Sequence, residues 1–448
     1  MCPSHVPNWS QRRWRANCFP PSTFFASRRI FFPAVAENQP LQQIKNRMTS
    51  QIAFTEHAAR LRDFIGRHSN DGGRVASEDE FNQLARSLFA LQFDGVPDYR
   101  IFCDARDASP ETISHWSEIP AIPTAGFKEF ELTSLPAGQC LYIFHSSGTT
   151  EHRPAHHFHN AESLCLYEAS LLPWFKRHLS ASPEAGTARR EGSARVTAHV
   201  PDLGSGTSGF GPAVFLSLTP PPSLAPHSSL VHMFAAIHRK FGAGESQFTG
   251  RTHPDGSWNL DFAESVACLR RAIDGGRPVT VMGTAFNFVQ FLDGLEQAGV
   301  QLNLPAGSRV LETGGYKGRS RSLPKNELHS LISAKLGVPS IQIVSEYGMC
   351  ELSSQAYDLA VQSPQSKAQG SPRSFHFPPW ARAQVISPET GLEVAEGETG
   401  LIRVFDLANM RSVLAIQTED LGIRRGEGFE LIGRATLAES RGCSLMSL

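Results

Sequence analysis

The chain has 448 residues, with 42 lysines and arginines against 43 aspartates and glutamates, for a formal net charge of -1. At roughly 100–200 residues per domain, that length accommodates several domains or subdomains and a core that needs no disulfide or metal staple. The neutral balance excludes a dedicated basic nucleic-acid binder, and 40% hydrophobic with 19% charged residues excludes wholesale disorder.

The charge is unevenly spread. Residues 1–47 hold seven basic side chains and one acidic one (Glu37), a net of +6, so the remainder carries -7. Such an Arg-rich, acid-poor head has the composition of a targeting peptide, with Ala34-Val35-Ala36 as a cleavage-like site. Its one apolar stretch, Ile30 to Ala36, is broken by Pro33. The expectation is therefore that the native chain starts at Met48, with a targeting segment as the alternative. From Phe54 to His68 an amphipathic helix is expected, with Ala58, Leu61, Phe64 and Ile65 on one face. Ser77 to Glu80 reads as a capping box opening a second helix, with Phe81, Leu84, Leu88 and Phe89 inward.

A short apolar run, 139–144, then enters a Ser/Gly/Thr loop, and residues 180–194 read as a surface loop. Strands are expected at 196–200, 214–218, 279–282, 309–312 and 341–344, with helices at 228–241, 286–298 and 324–336. This alternation implies parallel α/β layers. Beyond about 380 the pattern changes to short strands at 383–386, 400–405, 412–417 and 429–432. No run of about 18 apolar residues is available for a membrane-spanning helix. The eight cysteines (Cys2, Cys18, Cys103, Cys140, Cys165, Cys268, Cys350 and Cys443) form no C-x-x-C pair. Scattered thiols of this kind fit a reducing, cytoplasmic setting.

Two motif-like segments carry less than their letters suggest. Gly204 to Gly209 matches G-x-G-x-x-G, but Pro212 follows where a helix should open, and no acidic residue lies between 210 and 244. A loop is expected there, not a dinucleotide site. His145, His152, His156, His157 and His159 crowd one region, yet Pro154 separates the one helical pair and no third ligand has metal spacing. A polar loop is the expectation.

Four other segments belong together. Phe144-His145-Ser146-Ser147-Gly148-Thr149-Thr150 follows a strand, and its small residues and hydroxyls suit a phosphate cradle. Ser345-Glu346-Tyr347-Gly348-Met349-Cys350-Glu351 follows another strand. Thr418-Glu419-Asp420-Leu421-Gly422 and Gly433-Arg434 close the series. In order and spacing these resemble the adenylate-forming superfamily of acyl and aryl ligases, whose motifs read S-S-G-T-T-G, Y-G-x-T-E, an Asp motif and a G-R hinge. The acyl-protein synthetase branch, the fatty-acid-activating component of bacterial bioluminescence reductase systems, is the closer resemblance. It rests on Ile119 to Pro123 with Phe127-Lys128, on Glu312-Thr313-Gly314-Gly315-Tyr316-Lys317, on Gln417 to Gly422, and on Arg441-Gly442-Cys443-Ser444-Leu445. The match runs from about residue 50 to the end.

The resemblance implies an α/β adenylate-forming ligase large domain with layered α/β subdomains and a C-terminal β-rich subdomain. It divides the chain into an extension (1–47), an adenylate-forming core (48–379) and a β-rich subdomain with tail (380–448). It departs from the family in Glu151 where a glycine is usual and in Cys350 where a threonine is usual. The sequence ends 14 residues after Arg434, so the small mobile C-terminal domain and its lysine have no counterpart in it. Lys317 is the candidate substitute for that lysine, and Arg153 for a cation lost from the phosphate loop.

The implied cofactors are ATP and Mg²⁺. By resemblance, Ser146, Ser147, Gly148, Thr149 and Thr150 hold phosphates, Gly314, Gly315 and Tyr347 flank adenine, Gly348 belongs to the same ATP site, and Asp420 binds ribose. Glu351 is the magnesium ligand, and Arg434 contacts ribose or phosphate. A cysteine near a chain terminus is ordinarily only an exposed thiol, but the resemblance makes Cys443 the acyl acceptor, with Arg441 favouring its thiolate. The implied activity is ATP-dependent conversion of a carboxylic, fatty-type acid to acyl-AMP, then transfer to Cys443 for delivery to an acyl reductase or acyl carrier protein. A CoA ligase resembling phenylacetate-CoA ligase and a non-catalytic binding protein of the same fold are the alternatives. Phe286, Phe288 and Phe291 are expected in the core or along an acyl pocket.

Overall fold

In the computed structural model, residues 41–70, 77–146, 153–179, 213–254, 257–315, 321–360 and 373–435 are described. The chain divides at Met48 into a unit of residues 1–47 and a unit of residues 48–448. Everything below concerns the second, apart from the first seven residues of helix 41–70. The strand expected at 196–200, the loop at 180–194 and Gly204 to Gly209 lie outside the described residues.

Helices α1 (Leu41–Asn70), α2 (Glu78–Gly95) and α3 (Pro97–Asp104) come first, then β1 (Ile122–Pro123) and the single-turn helix α4 (Gly126–Glu129). The strands β2 (Tyr142–His145) and β3 (His156–His159) form a hairpin, followed by α5 (Ala161–Leu179). The α/β part runs β4 (Val214–Ser217), α6 (Ser229–Phe241), β5 (Gln247–Phe248), β6 (Gly250–Thr252), β7 (Trp258–Leu260) and α7 (Phe262–Asp274). It continues through β8 (Val279–Thr284), α8 (Ala285–Gln297), β9 (Arg309–Thr313), α9 (Lys325–Leu336) and β10 (Ile343–Tyr347). The remaining strands are β11 (Ala356–Ala360), β12 (Arg373–His376), β13 (Ala381–Ile386), β14 (Thr399–Asp406), β15 (Ala415–Arg425) and β16 (Gly428–Arg434).

One 12-stranded sheet joins most of these, in the order β13-β14-β15-β16-β12-β11-β10-β9-β8-β4-β5, with β1 added alongside β15. From β5 to β10 the strands are parallel; from β10 to β13 they are antiparallel. The C-terminal strands are thus hydrogen-bonded to the same sheet as the α/β strands. The parallel strands are apolar on both faces because both faces are covered. Val281, Val310 and Ile343 pack into one core with α7, α8 and α9, while their neighbours Met282, Leu311 and Val344 pack into the other with α5, α6 and the N-terminal helices. Phe288 and Phe291 lie fully in the first of these cores.

Two local expectations are corrected. Ser77 is the N-cap residue of α2, but its side chain makes no capping hydrogen bond. Glu80, the other half of the expected capping box, instead pairs with Arg67 of α1 at 2.5 Å. An ion pair between two helices has displaced a local motif. The histidine-rich segment is not a polar loop either. His156 to His159 pair with Tyr142 to His145, and His157 and His159 are buried. Burial holds the His157 imidazole at about 4 and lowers that of His159 further from the usual range, so both are neutral.

One fully buried amide ties α2 to the connection between β14 and β15. Gln92 of α2 donates to the carbonyl of Asn409 (2.8 Å) and accepts from the backbone N–H of Leu414 (2.9 Å). A Gln92→Leu variant strands both backbone groups and is expected to lose about 2–4 kcal/mol, read as a lower urea midpoint. An unchanged midpoint would show that this lock is dispensable.

Candidate functional site

Parallel α/β sheets present ligand crevices at the carboxyl ends of their strands. Here β8, β9 and β10 end together, with Thr284, Thr313 and Glu346 in register. Gly314 follows β9 with φ +65, a left-handed turn that a side chain would disfavour. Beyond these strand ends opens a cavity of about 900 Å³.

Its walls gather residues from segments far apart in the sequence. Ser146, Gly314, Gly315, Gly348, Glu351, Asp420 and Arg434 all line it. Tyr347 stands one step behind, packed on Phe429 at 5.1 Å between ring centroids, and its hydroxyl donates to Asp420 at 2.9 Å. Ser147, Gly148, Thr149, Thr150, Lys317 and Cys443 lie outside the described residues. The stem from which the 147–152 segment departs is fixed: the Ser146 N–H donates to the Ala155 carbonyl, and the Ser146 hydroxyl accepts from the Ala155 N–H at 2.9 Å.

Asp420 lies within the long strand β15, which runs past the strand end expected at residue 417. Its register partner on β16 is Arg434, whose Nε stands 3.6 Å from the carboxylate. Burial raises the Asp420 carboxyl above its ordinary value, against the Tyr347 hydrogen bond and the Arg434 charge. Glu351 is also buried, and burial raises it against the nearby charges of Arg434 and Lys128. Lys128, on α4, lines the cavity with Arg153, which pairs with Glu129 at 3.1 Å. Two cations thus border the cavity, and Phe286 borders it from the start of α8.

Several wall residues have no role legible in the sequence. Lys128 follows Phe127 with nothing local to give it a function, and nothing local marks His145, His227, Thr284, Thr313, Glu346 or Thr418 as site residues. Glu346 is the most unusual. It is buried, its carboxylate accepts from the Thr313 hydroxyl, and burial together with the nearby Glu312 pushes it up to about 7. The only sequence signal was its position beside Tyr347.

Residues 234–447 match the family model described as acyl-protein synthetase, LuxE. The long-chain-fatty-acid–luciferin-component ligase of Aliivibrio fischeri is 23% identical over 197 residues, 42% of this chain and 49% of that protein. Its Vibrio harveyi counterpart is 21% identical over 195 residues, with the same shares. The chain thus spans about half the length of the curated relatives it matches. Among solved structures, an open 2-hydroxyisobutyryl-CoA ligase with its acyl-AMP and CoA superposes with a TM-score of 0.52 at 10% identity, covering 80% of this chain and 76% of that one. The same ligase in its postadenylation state gives 0.53 at 9% identity, covering 80% and 69%. The fold is that of the adenylate-forming ligases, as the sequence implied.

Glu346 also makes a stability prediction. A carboxyl raised from 4.5 to about 7 in the folded protein binds more protons than in the unfolded chain across that window. Folding stability therefore falls as pH rises from about 4.5 to 7, by about 3 kcal/mol in all. Glu346→Gln should match the wild type near pH 5 and exceed it in thermal stability at pH 8. Equal stability of the two proteins at both pH values would contradict a buried, titrating Glu346.

Proposed function

We propose that this chain is an ATP-dependent acyl-protein synthetase. It activates a carboxylic, fatty-type acid as acyl-AMP and passes the acyl group to a protein thiol, Cys443. The observation that supports this best is the convergence of Ser146, Gly314, Gly315, Gly348, Glu351, Asp420 and Arg434 on one cavity, although they span 289 positions of sequence. The names of the relatives, ligases of long-chain fatty acids to a luciferin component, favour the same reading.

In the first half-reaction a substrate carboxylate oxygen attacks the α-phosphorus of ATP, the bond to the β-phosphate bridging oxygen breaks, and pyrophosphate leaves. Two anions must meet, so the work of the protein is alignment and charge neutralisation. Ser146 to Thr150 hold the β- and γ-phosphates, with Lys128 and Arg153 as the bordering cations. Gly314, Gly315 and Tyr347 flank adenine. Asp420 accepts from the ribose hydroxyls, and the Tyr347 hydroxyl holds it in place. Arg434, directly across from it, contacts ribose or phosphate. Lys317, two positions beyond Gly315, supplies a cation at the reacting phosphate.

The residues present fit a magnesium ion. Among the described residues no group of three or more His, Cys, Asp or Glu is placed to hold a metal. Magnesium in phosphoryl chemistry is typically held by one or two carboxylates plus phosphate oxygens, and Glu351, a buried carboxyl on the cavity wall, is that kind of donor. When bound, the ion neutralises phosphate charge.

In the second half-reaction the Cys443 thiolate attacks the acyl carbonyl, AMP leaves, and a thioester remains. An acyl reductase or acyl carrier then takes the acyl group. Among the described residues no helix is long and apolar enough to cross a membrane, and the setting proposed is the cytoplasm.

Fatty-acid-dependent exchange of pyrophosphate into ATP tests the first step. Asp420→Ala should lower exchange about 10- to 100-fold, the worth of a hydrogen bond to a charged group. Cys443→Ser should leave exchange intact and abolish covalent labelling by radioactive acid. Labelling that survives this change removes Cys443 from the mechanism; absence of exchange with every acid removes the activation itself.

A further inference from the structure

The strand ends beneath the cavity carry a polar row that a purely hydrocarbon substrate does not need. Thr284, Thr313 and Glu346 sit side by side across β8, β9 and β10, and all three line the cavity. Across the β10–β11 pair Glu346 faces Tyr357, whose buried hydroxyl has no hydrogen-bond partner among the described residues. Gln355 and Tyr167 continue the same wall, joined by a 3.4 Å contact from the Gln355 amide to the Tyr167 hydroxyl.

The hydrogen bonds within this row are unequally spent. Thr284 is committed to Asn287, capping α8. Glu346 uses Oε2 to accept from Thr313. Its Oε1 has no hydrogen bond among the described residues and lies over Gly348, where a Cβ would collide with it. A glycine therefore keeps open the side of the carboxyl that borders the cavity. Other parts of the wall are apolar, among them Leu230, Met233, Phe286 and Met349. An alkyl chain laid across Glu346 would strip water from Oε1 and return nothing, whereas a hydroxyl at that point would replace the lost water.

We propose that Glu346 is a specificity-determining residue that hydrogen-bonds a hydroxyl on the substrate acid, so that this enzyme takes a hydroxylated carboxylic acid in preference to an unsubstituted saturated one. This rests on the reading of the cavity as an acid-activating site. A site built to pair a substrate hydroxyl discriminates strongly against the analogue that lacks it, because its own polar group is then left unpaired.

The test is ATP–pyrophosphate exchange by the full chain, with tetradecanoate compared against its 2-hydroxy, 3-hydroxy and terminally hydroxylated forms. The expected result is that at least one hydroxy acid exceeds tetradecanoate in kcat/KM by about 10-fold or more. Glu346→Leu should erase that ratio by improving the plain acid relative to the hydroxy acid, and Glu346→Gln, which keeps a polar end, should retain part of it. The wild-type ratio and the Gln variant decide the matter even if the Leu variant fails to fold. Exchange that is equal with all acids, or best with tetradecanoate, overturns this inference and leaves acid activation standing. So does a Glu346→Gln variant that weakens acid-free ATP binding while leaving the acid ratio unchanged, since Glu346 would then serve the nucleotide. Exchange with none of the acids overturns both.

Discussion

Four hydrogen bonds converge on the buried carboxylate of Asp406. The backbone N–H groups of Ser353 and Ser354 donate to one oxygen at 2.9 and 2.7 Å, and the Ser354 hydroxyl and the Ala408 N–H donate to the other at 2.7 and 2.9 Å. Burying a carboxylate is costly unless its lone pairs are satisfied; here burial raises the group and all four donors oppose that rise. What they fix is the turn immediately after Glu351. Three residues beyond Asp406, the Asn409 amide donates to the Glu351 carbonyl at 2.8 Å, and Gln92 holds the same segment from the other side. The position of Glu351 at the cavity is therefore set by the end of β14 and by a helix more than 250 residues upstream.

The sheet divides its labour along the same lines. Its parallel half brings three strand ends to one level and supplies glycines, threonines and Glu346. Its antiparallel half borders the cavity with β15 and β16, and so supplies Asp420 and Arg434. Tyr347 bridges the halves: its ring packs among Phe375, Phe377 and Phe429, and its hydroxyl reaches Asp420.

Much of this was legible in the sequence because parallel strands covered on both faces are written as short apolar runs. The strands at 279–284, 309–313 and 343–347 and the helices between them fell close to their expected places. What escaped depended on distant partners. Ser77 and Glu80 spell a capping box, but nothing local reveals that Arg67 will take the glutamate. The histidines at 156–159 look polar until β2 pairs with them. Glu346 looks like any strand-end carboxylate, since its burial and its threonine partner arise from the register between β9 and β10. The motif residues Glu351, Asp420 and Arg434 were found by resemblance, not by periodicity, and β15 proved long enough to carry Asp420 inside a strand.

The two-residue strand β1 has an importance out of proportion to its length. Ile122 and Pro123 pair with Ile416 and Gln417 of β15, and the Thr124 N–H donates to the Gln417 carbonyl at 3.0 Å. Lys128 follows within a single helical turn, and Asp420 stands three residues beyond Gln417 on the other strand. A positive charge from the first third of the chain and a carboxylate from its end are thus yoked to one backbone ladder. Any shift of β15 carries both together, so the electric field at Glu351 and the placement of Asp420 change as a single variable.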